Sequence, residues 1–81
     1  MAKSFHLTIA RIGENLFDGE ALSLIVPGEE GILTVLAGHE PFVSPLTAGE
    51  ARVLTSDGTQ TIALPTTGIL EVSGDQATVI I

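Results

Sequence analysis

The chain has 81 residues, no cysteine and a formal net charge of −7, with ten acids set against Lys3, Arg11 and Arg52. That length reads as a single domain over 1–81, which buries only about 60% of its unfolded surface and needs an added staple; without cysteine, disulfides and thiolate metal sites are out, and a partner surface is what remains. Three scattered cations cannot neutralise a run of phosphates or an anionic lipid surface, so nucleic acid is excluded as a partner, whereas a basic protein fits.

The apolar content is 44% and the mean hydropathy +0.48. The longest uninterrupted apolar run is nonetheless far short of the ~20 residues of a membrane helix, so direct membrane insertion is not expected. The excess is spread through short segments, some of which must face another protein. The first residues lack the apolar core of a secretory signal and the arginine pattern of a transit peptide, which points to the cytoplasm or to a mature form.

Period-two alternation runs along the chain. Phe5, Leu7 and Ile9 alternate with His6, Thr8 and Ala10 as a first strand. The stretch 13–15 turns the chain, and Leu16 and Phe17 open a short strand that Asp18 and Gly19 interrupt. Leu22, Leu24 and Val26 then share one face, with Ile25 opposite. Pro27-Gly28 reads as a tight turn, since proline presets one dihedral and glycine accepts a positive one.

A strand over 32–36 follows, broken by Gly38-His39-Glu40-Pro41. Phe42, Val43 and Leu46 lead to the strand 52–55, and Asp57-Gly58 is a hairpin signal. Strands over 61–64, 69–73 and 77–81 close the series, with Pro65 marking an end or an edge. No helical period exceeds two turns. Short strands punctuated in this way predict an all-β fold, a flattened sandwich or barrel. Ile25, Ile69 and Ile80 each lie opposite core-facing neighbours, so some bulky side chains belong to a rim, a barrel end or a partner.

Little in this pattern supports chemistry. His39 sits in an exposed turn, and adjacent Glu40 points away from it in an extended segment, so a general base lacks its orienting carboxylate. His6 lies on the polar face of the first strand, and two distant histidines do not make a zinc site. Glu29-Glu30 is an acid pair at a turn tip with no cleft to split its proton affinities; it reads as solvated charge or as a charged knob docking on a basic loop. No nucleophile elbow is present, so no catalytic, cofactor or metal residue is expected. No hairpin tip carries a lysine, which disfavours a lipoyl or biotin carrier. The absence of tryptophan and tyrosine disfavours a sugar-binding sandwich, and a cupin-type enzyme would need clustered histidines. A small acidic β-sandwich module for protein interaction or ligand binding is the alternative reading.

Five segments in order resemble the epsilon subunit of the F-type ATP synthase (delta in mitochondria). They are Phe17-Asp18-Gly19-Glu20, Val26-Pro27-Gly28-Glu29-Glu30-Gly31, Val35-Leu36-Ala37-Gly38-His39-Glu40-Pro41, Leu46-Thr47-Ala48-Gly49 and Gly68-Ile69-Leu70-Glu71-Val72. Thr67, Ala37 and Ile32 depart from residues common in the family. The resemblance implies about ten short strands in two five-stranded sheets, and a rotor place on the central stalk at the cytoplasmic face of the bacterial inner membrane. It implies the gamma subunit and the c-ring as partners in a hetero-oligomer that couples proton translocation to ATP synthesis. By the same resemblance, Glu29, Glu30, Gly31 and Ile32 in one turn and Gly38 and His39 in the next face the ring, whose loops are basic in many relatives. The β pattern runs to Ile81, so the family's C-terminal helical hairpin, which restrains ATP hydrolysis in many members, is expected to be absent.

Overall fold

The computed structural model describes residues 3–81, which form nine strands and no helix. They are β1 (Phe5–Arg11), β2 (Glu14–Ala21), β3 (Ser23–Gly28), β4 (Gly31–Leu36), β5 (Phe42–Leu46), β6 (Gly49–Thr55), β7 (Gly58–Leu64), β8 (Gly68–Ser73) and β9 (Gln76–Ile80). Their hydrogen-bonded order is β2-β1-β9-β8-β5-β3-β6-β7, with β4 on the other side of β3. The all-β expectation holds, with nine strands where about ten were implied.

The strands make two layers, one of five (β2-β1-β9-β8-β5) and one of four (β4-β3-β6-β7), where the resemblance implied five and five. Both belong to one continuous ladder. β5 and β6 are nearly one strand, and both run antiparallel to β3. The pair Gly28–Leu46 and the pair Ile25–Arg52 are out of step, so extra residues between β5 and β6 bend the chain from one layer into the other. A strand that changes sheets through such a bend makes the corner of a sandwich. The corner is held by the Thr47 N–H donating to the Pro27 carbonyl at 2.9 Å and the Glu29 N–H donating to the Pro45 carbonyl at 3.2 Å.

Alternation sorts the side chains as the sequence suggests. Phe5, Leu7, Ile9, Leu24, Val26, Val35, Leu46, Val53, Leu64, Leu70, Val72 and Val79 are buried between the layers. Ile25, Ile69 and Ile80 turn outward, the last two exposed. No polar or charged residue is buried among the described residues, so the core relies on apolar packing alone.

Three local expectations are corrected. Asp18 and Gly19 do not interrupt β2: Gly19 pairs with Leu7 and Asp18 with Thr8, and the irregularity falls between Ile9 and Ala10, where Leu16 is the extra residue. Pro27 and Gly28 are not the turn but the end of β3, tied to β5 by the corner bonds; Glu29 and Glu30 form the loop, and Gly28 pairs with Gly31. Gly31 has φ +133°, a value that would strain any other residue there. Likewise Ser56 and Asp57 make the next hairpin loop, with Gly58 paired to Thr55.

Candidate functional site

Cross-strand pairs place side chains in rows on the outer face of the five-stranded layer. Pro45, Ile69, Ile80 and Ala10 form one row. Val43, Glu71, Thr78, Thr8 and Asp18 form the next. Ser73, Gln76, His6 and Glu20 form the third. The face is therefore apolar at one end and charged at the other.

The apolar end meets the β3–β4 hairpin. The corner bends the hairpin tip over β5 and leaves a groove of about 490 Å³ lined by residues 28–33 and 43–45. A second hollow of about 370 Å³, lined by Val43, Ile69, Glu71, Thr78 and Ile80, continues from it through Val43. Ile32, Val43, Ile69 and Ile80 are 76%, 65%, 51% and 58% exposed. Large aliphatic side chains left so open in one strip mark a docking surface. Its rim is acidic, with Glu29 and Glu30 on one side and Glu71 on the other.

The structure brings Glu29, Glu30, Gly31 and Ile32 together on this groove. It does not bring Gly38 and His39 to the same place. Glu29 and Glu30 precede β4, whereas Gly38 and His39 follow it, so the six residues of that strand hold the two turns roughly 20 Å apart. The His39 ring packs tilted against Phe42, with centroids 5.1 Å apart, and its Nδ1 lies 3.4 Å from the Glu40 carbonyl oxygen. Among the described residues no carboxylate hydrogen-bonds to this ring to orient it for proton transfer.

At the charged end, His6 lies between two acids. Its Nε2 is 2.6 Å from Asp18 Oδ1 and its Nδ1 3.2 Å from Glu20 Oε2. Ser4 Oγ donates to Glu20 Oε1 at 2.9 Å. Ionised carboxylates only accept, so both ring nitrogens are satisfied together only by the imidazolium. The hydrogen bond to Asp18, then that to Glu20, holds His6 above its usual 6.5. The cluster lies on a flat sheet face, and among the described residues no group of three His, Asp, Glu or Cys side chains has an arrangement that could hold a metal.

Sequence reasoning missed Val43 and Pro45, because two prolines hid the alternation of β5. It missed the His6–Asp18 pair because Asp18 was read as a strand break. Ile69 and Ile80 were legible as side chains without room in the core.

Comparison with known proteins gives one answer. Residues 4–81 match the family model described as "ATP synthase, Delta/Epsilon chain, beta-sandwich domain". The chain is 35% identical over 75 residues to the ATP synthase epsilon chain of Chlorobium limicola, covering 93% of this chain and 85% of that one. It is 32% identical over 77 residues to the epsilon chain of Bordetella avium, covering 95% of this chain but 55% of the relative. Against the ATP synthase epsilon chain 1 of Methylococcus capsulatus it is 38% identical over 73 residues, 89% of this chain and 51% of that one. The chain thus spans about half the length of some relatives and most of others. A chain in the cryo-EM structure of the Euglena gracilis mitochondrial ATP synthase OSCP/F1/c-ring assembly superposes with a TM-score of 0.86 over 95% of this chain and 49% of that one; at 24% identity this is agreement of fold. Matched along nearly all its length, the chain belongs to the family of ATP synthase delta/epsilon chain β-sandwich domains.

Proposed function

We propose that this chain is a non-catalytic central-stalk subunit that couples the gamma subunit to the c-ring of a proton-driven F-type ATP synthase. In this reading it is one part of a hetero-oligomer, held peripherally at the cytoplasmic face of the bacterial inner membrane. The observation that carries the reading is the acid-rimmed apolar groove between the β3–β4 hairpin tip and β5. Glu29 and Glu30 supply charge complementary to a basic loop, Gly31 lets the tip turn tightly, and Ile32 with Val43 supplies the area that seats it. Gly38 and His39 form a separate contact at the other end of β4. The mechanism is mechanical: two close-packed layers joined through one bent strand resist deformation, so torque passes between partners without loss to internal motion.

The test is co-purification with a gamma subunit and with a detergent-solubilised c-ring, for the native chain and for the double variant Ile32→Asp, Val43→Asp. Both positions are exposed, so the fold should persist while ring attachment is lost. A double variant that binds as tightly as the native chain would remove the groove from the interface. Failure of the native chain to bind gamma would refute the central-stalk role itself.

A further inference from the structure

β4 is an edge strand, and its outer backbone is unpaired. The corner bonds fix which groups point where. The Pro27 carbonyl and the Glu29 N–H reach toward β5, so the backbone groups of Gly28 between them point at Gly31 of β4. Antiparallel pairs alternate between bonded and non-bonded along a ladder. Leu33 and Val35 therefore exchange hydrogen bonds with Val26 and Leu24, whereas Ile32, Thr34 and Leu36 direct their N–H and C=O away from β3. No further backbone bond among the described residues reaches that side of β4.

An open edge of this kind is a template for another strand, and proteins guard such edges with charge, proline or bulges. β2 is guarded by Glu14, Asp18 and Glu20, and β7 is polar over Thr59, Gln60 and Thr61. β4 reads Gly-Ile-Leu-Thr-Val-Leu, without charge, proline or register shift. Its exposed side chains include Ile32 and Leu36. Acids stand at both ends: Glu29 and Glu30 before the strand, Glu40 beyond it.

We propose that the outer edge of β4 accepts an extended segment of a cationic partner, which joins the four-stranded layer as an added strand with its basic flanks against Glu29, Glu30 and Glu40. A second copy of this chain is the wrong occupant. Each copy carries −7, and an antiparallel β4–β4 pair would bring each Glu29–Glu30 tip alongside the other copy's Glu40. Main-chain bonds supply affinity in strand addition, and the flanking charges select the partner. The site shares the Glu29–Glu30 tip with the groove of the central-stalk reading, but its strand contacts rest on the outward backbone of Ile32, Thr34 and Leu36, which that reading does not use.

The experiment is amide hydrogen exchange on the isotope-labelled full chain, with a short peptide of alternating valine and threonine and a lysine pair at each end. With peptide at about ten times its dissociation constant, the amides of Ile32, Thr34 and Leu36 should slow by about tenfold. Leu33 and Val35, already bonded to β3, should not change. Thr34→Pro removes a central outward N–H without taking a bond from β3 and should abolish the effect. The reversal Glu29→Lys, Glu30→Lys, Glu40→Lys leaves β4 intact and should abolish it also, which keeps the test valid if the proline variant fails to fold. No slowing at millimolar peptide, or equal slowing by the same peptide with glutamate flanks, would overturn the proposal. Slowing that grows with protein concentration in the absence of peptide would overturn it too, in favour of a second copy.

Discussion

Truncating Leu7 to alanine should cost this domain a large part of its stability. Leu7 is wholly buried at the centre of β1. Its cross-strand neighbours are Gly19 on β2 and Ala77 on β9, neither long enough to lean into a vacated space. Removal of three carbon groups at ~0.8 kcal/mol each forfeits about 2.4 kcal/mol of transfer free energy. A void of up to roughly 80 Å³, at about 24 cal/mol per Å³, adds as much as ~2 kcal/mol. The total, about 4 kcal/mol, compares with the ~4–12 kcal/mol expected for a domain of this size. In thermal unfolding this is a fall in Tm of roughly 15–30 °C. Urea denaturation at constant slope gives the same quantity independently. Ile69→Ala, at an exposed site, is the control and should change stability by less than about 1 kcal/mol. A loss below about 1.5 kcal/mol for Leu7→Ala would refute the reasoning, because it would mean that the layers close over the gap.

Three further outcomes are expected. His6 titrates above 6.5 in the folded chain, so its bonds to Asp18 and Glu20 stabilise fully below pH 6.5 and are lost as pH rises through the raised folded value; His6→Gln should flatten the dependence of Tm on pH over that window, and an unchanged profile would assign it to other groups. Gly68→Ala should cost about 1–3 kcal/mol by overpacking, since a methyl there would lie 2.5 Å from the Ile80 carbonyl oxygen and 2.6 Å from Ile81 Cγ2; a neutral result in urea denaturation would show that the end of β9 moves freely. Glu29→Ala and His39→Ala, at opposite ends of β4, should weaken binding to purified gamma–ring complex additively within ~0.5 kcal/mol, whereas strong coupling would point to one shared contact.

Much of the fold was legible because alternation is a local signal. Phe5, Leu7 and Ile9 point inward as their spacing requires, and Leu70 with Val79 takes the core while Ile69 and Ile80 face out. Turn placement was less legible. Pro27-Gly28 has the chemistry of a turn, yet tertiary bonds to β5 keep both residues in β3 and move the loop onward by two. Pairing partners were not legible at all: nothing near Phe5 or Ile80 in sequence announces that β1 and β9 lie side by side in parallel. The candidate site divides in the same way. Its hairpin tip lies in one segment and was visible, but its floor comes from β5, β8 and β9, which only the folded ladder gathers.

The parallel pairing of β1 with β9 has a kinetic consequence. His6 meets Gln76 from seventy positions away, and a contact so distant along the chain is costly in loop entropy before it yields any binding energy. Refolding should therefore take milliseconds to seconds, the range of β proteins dominated by non-local contacts. The local hairpins β3–β4 and β6–β7 are expected to form early in that process, and the meeting of β1 with β9 to set its pace.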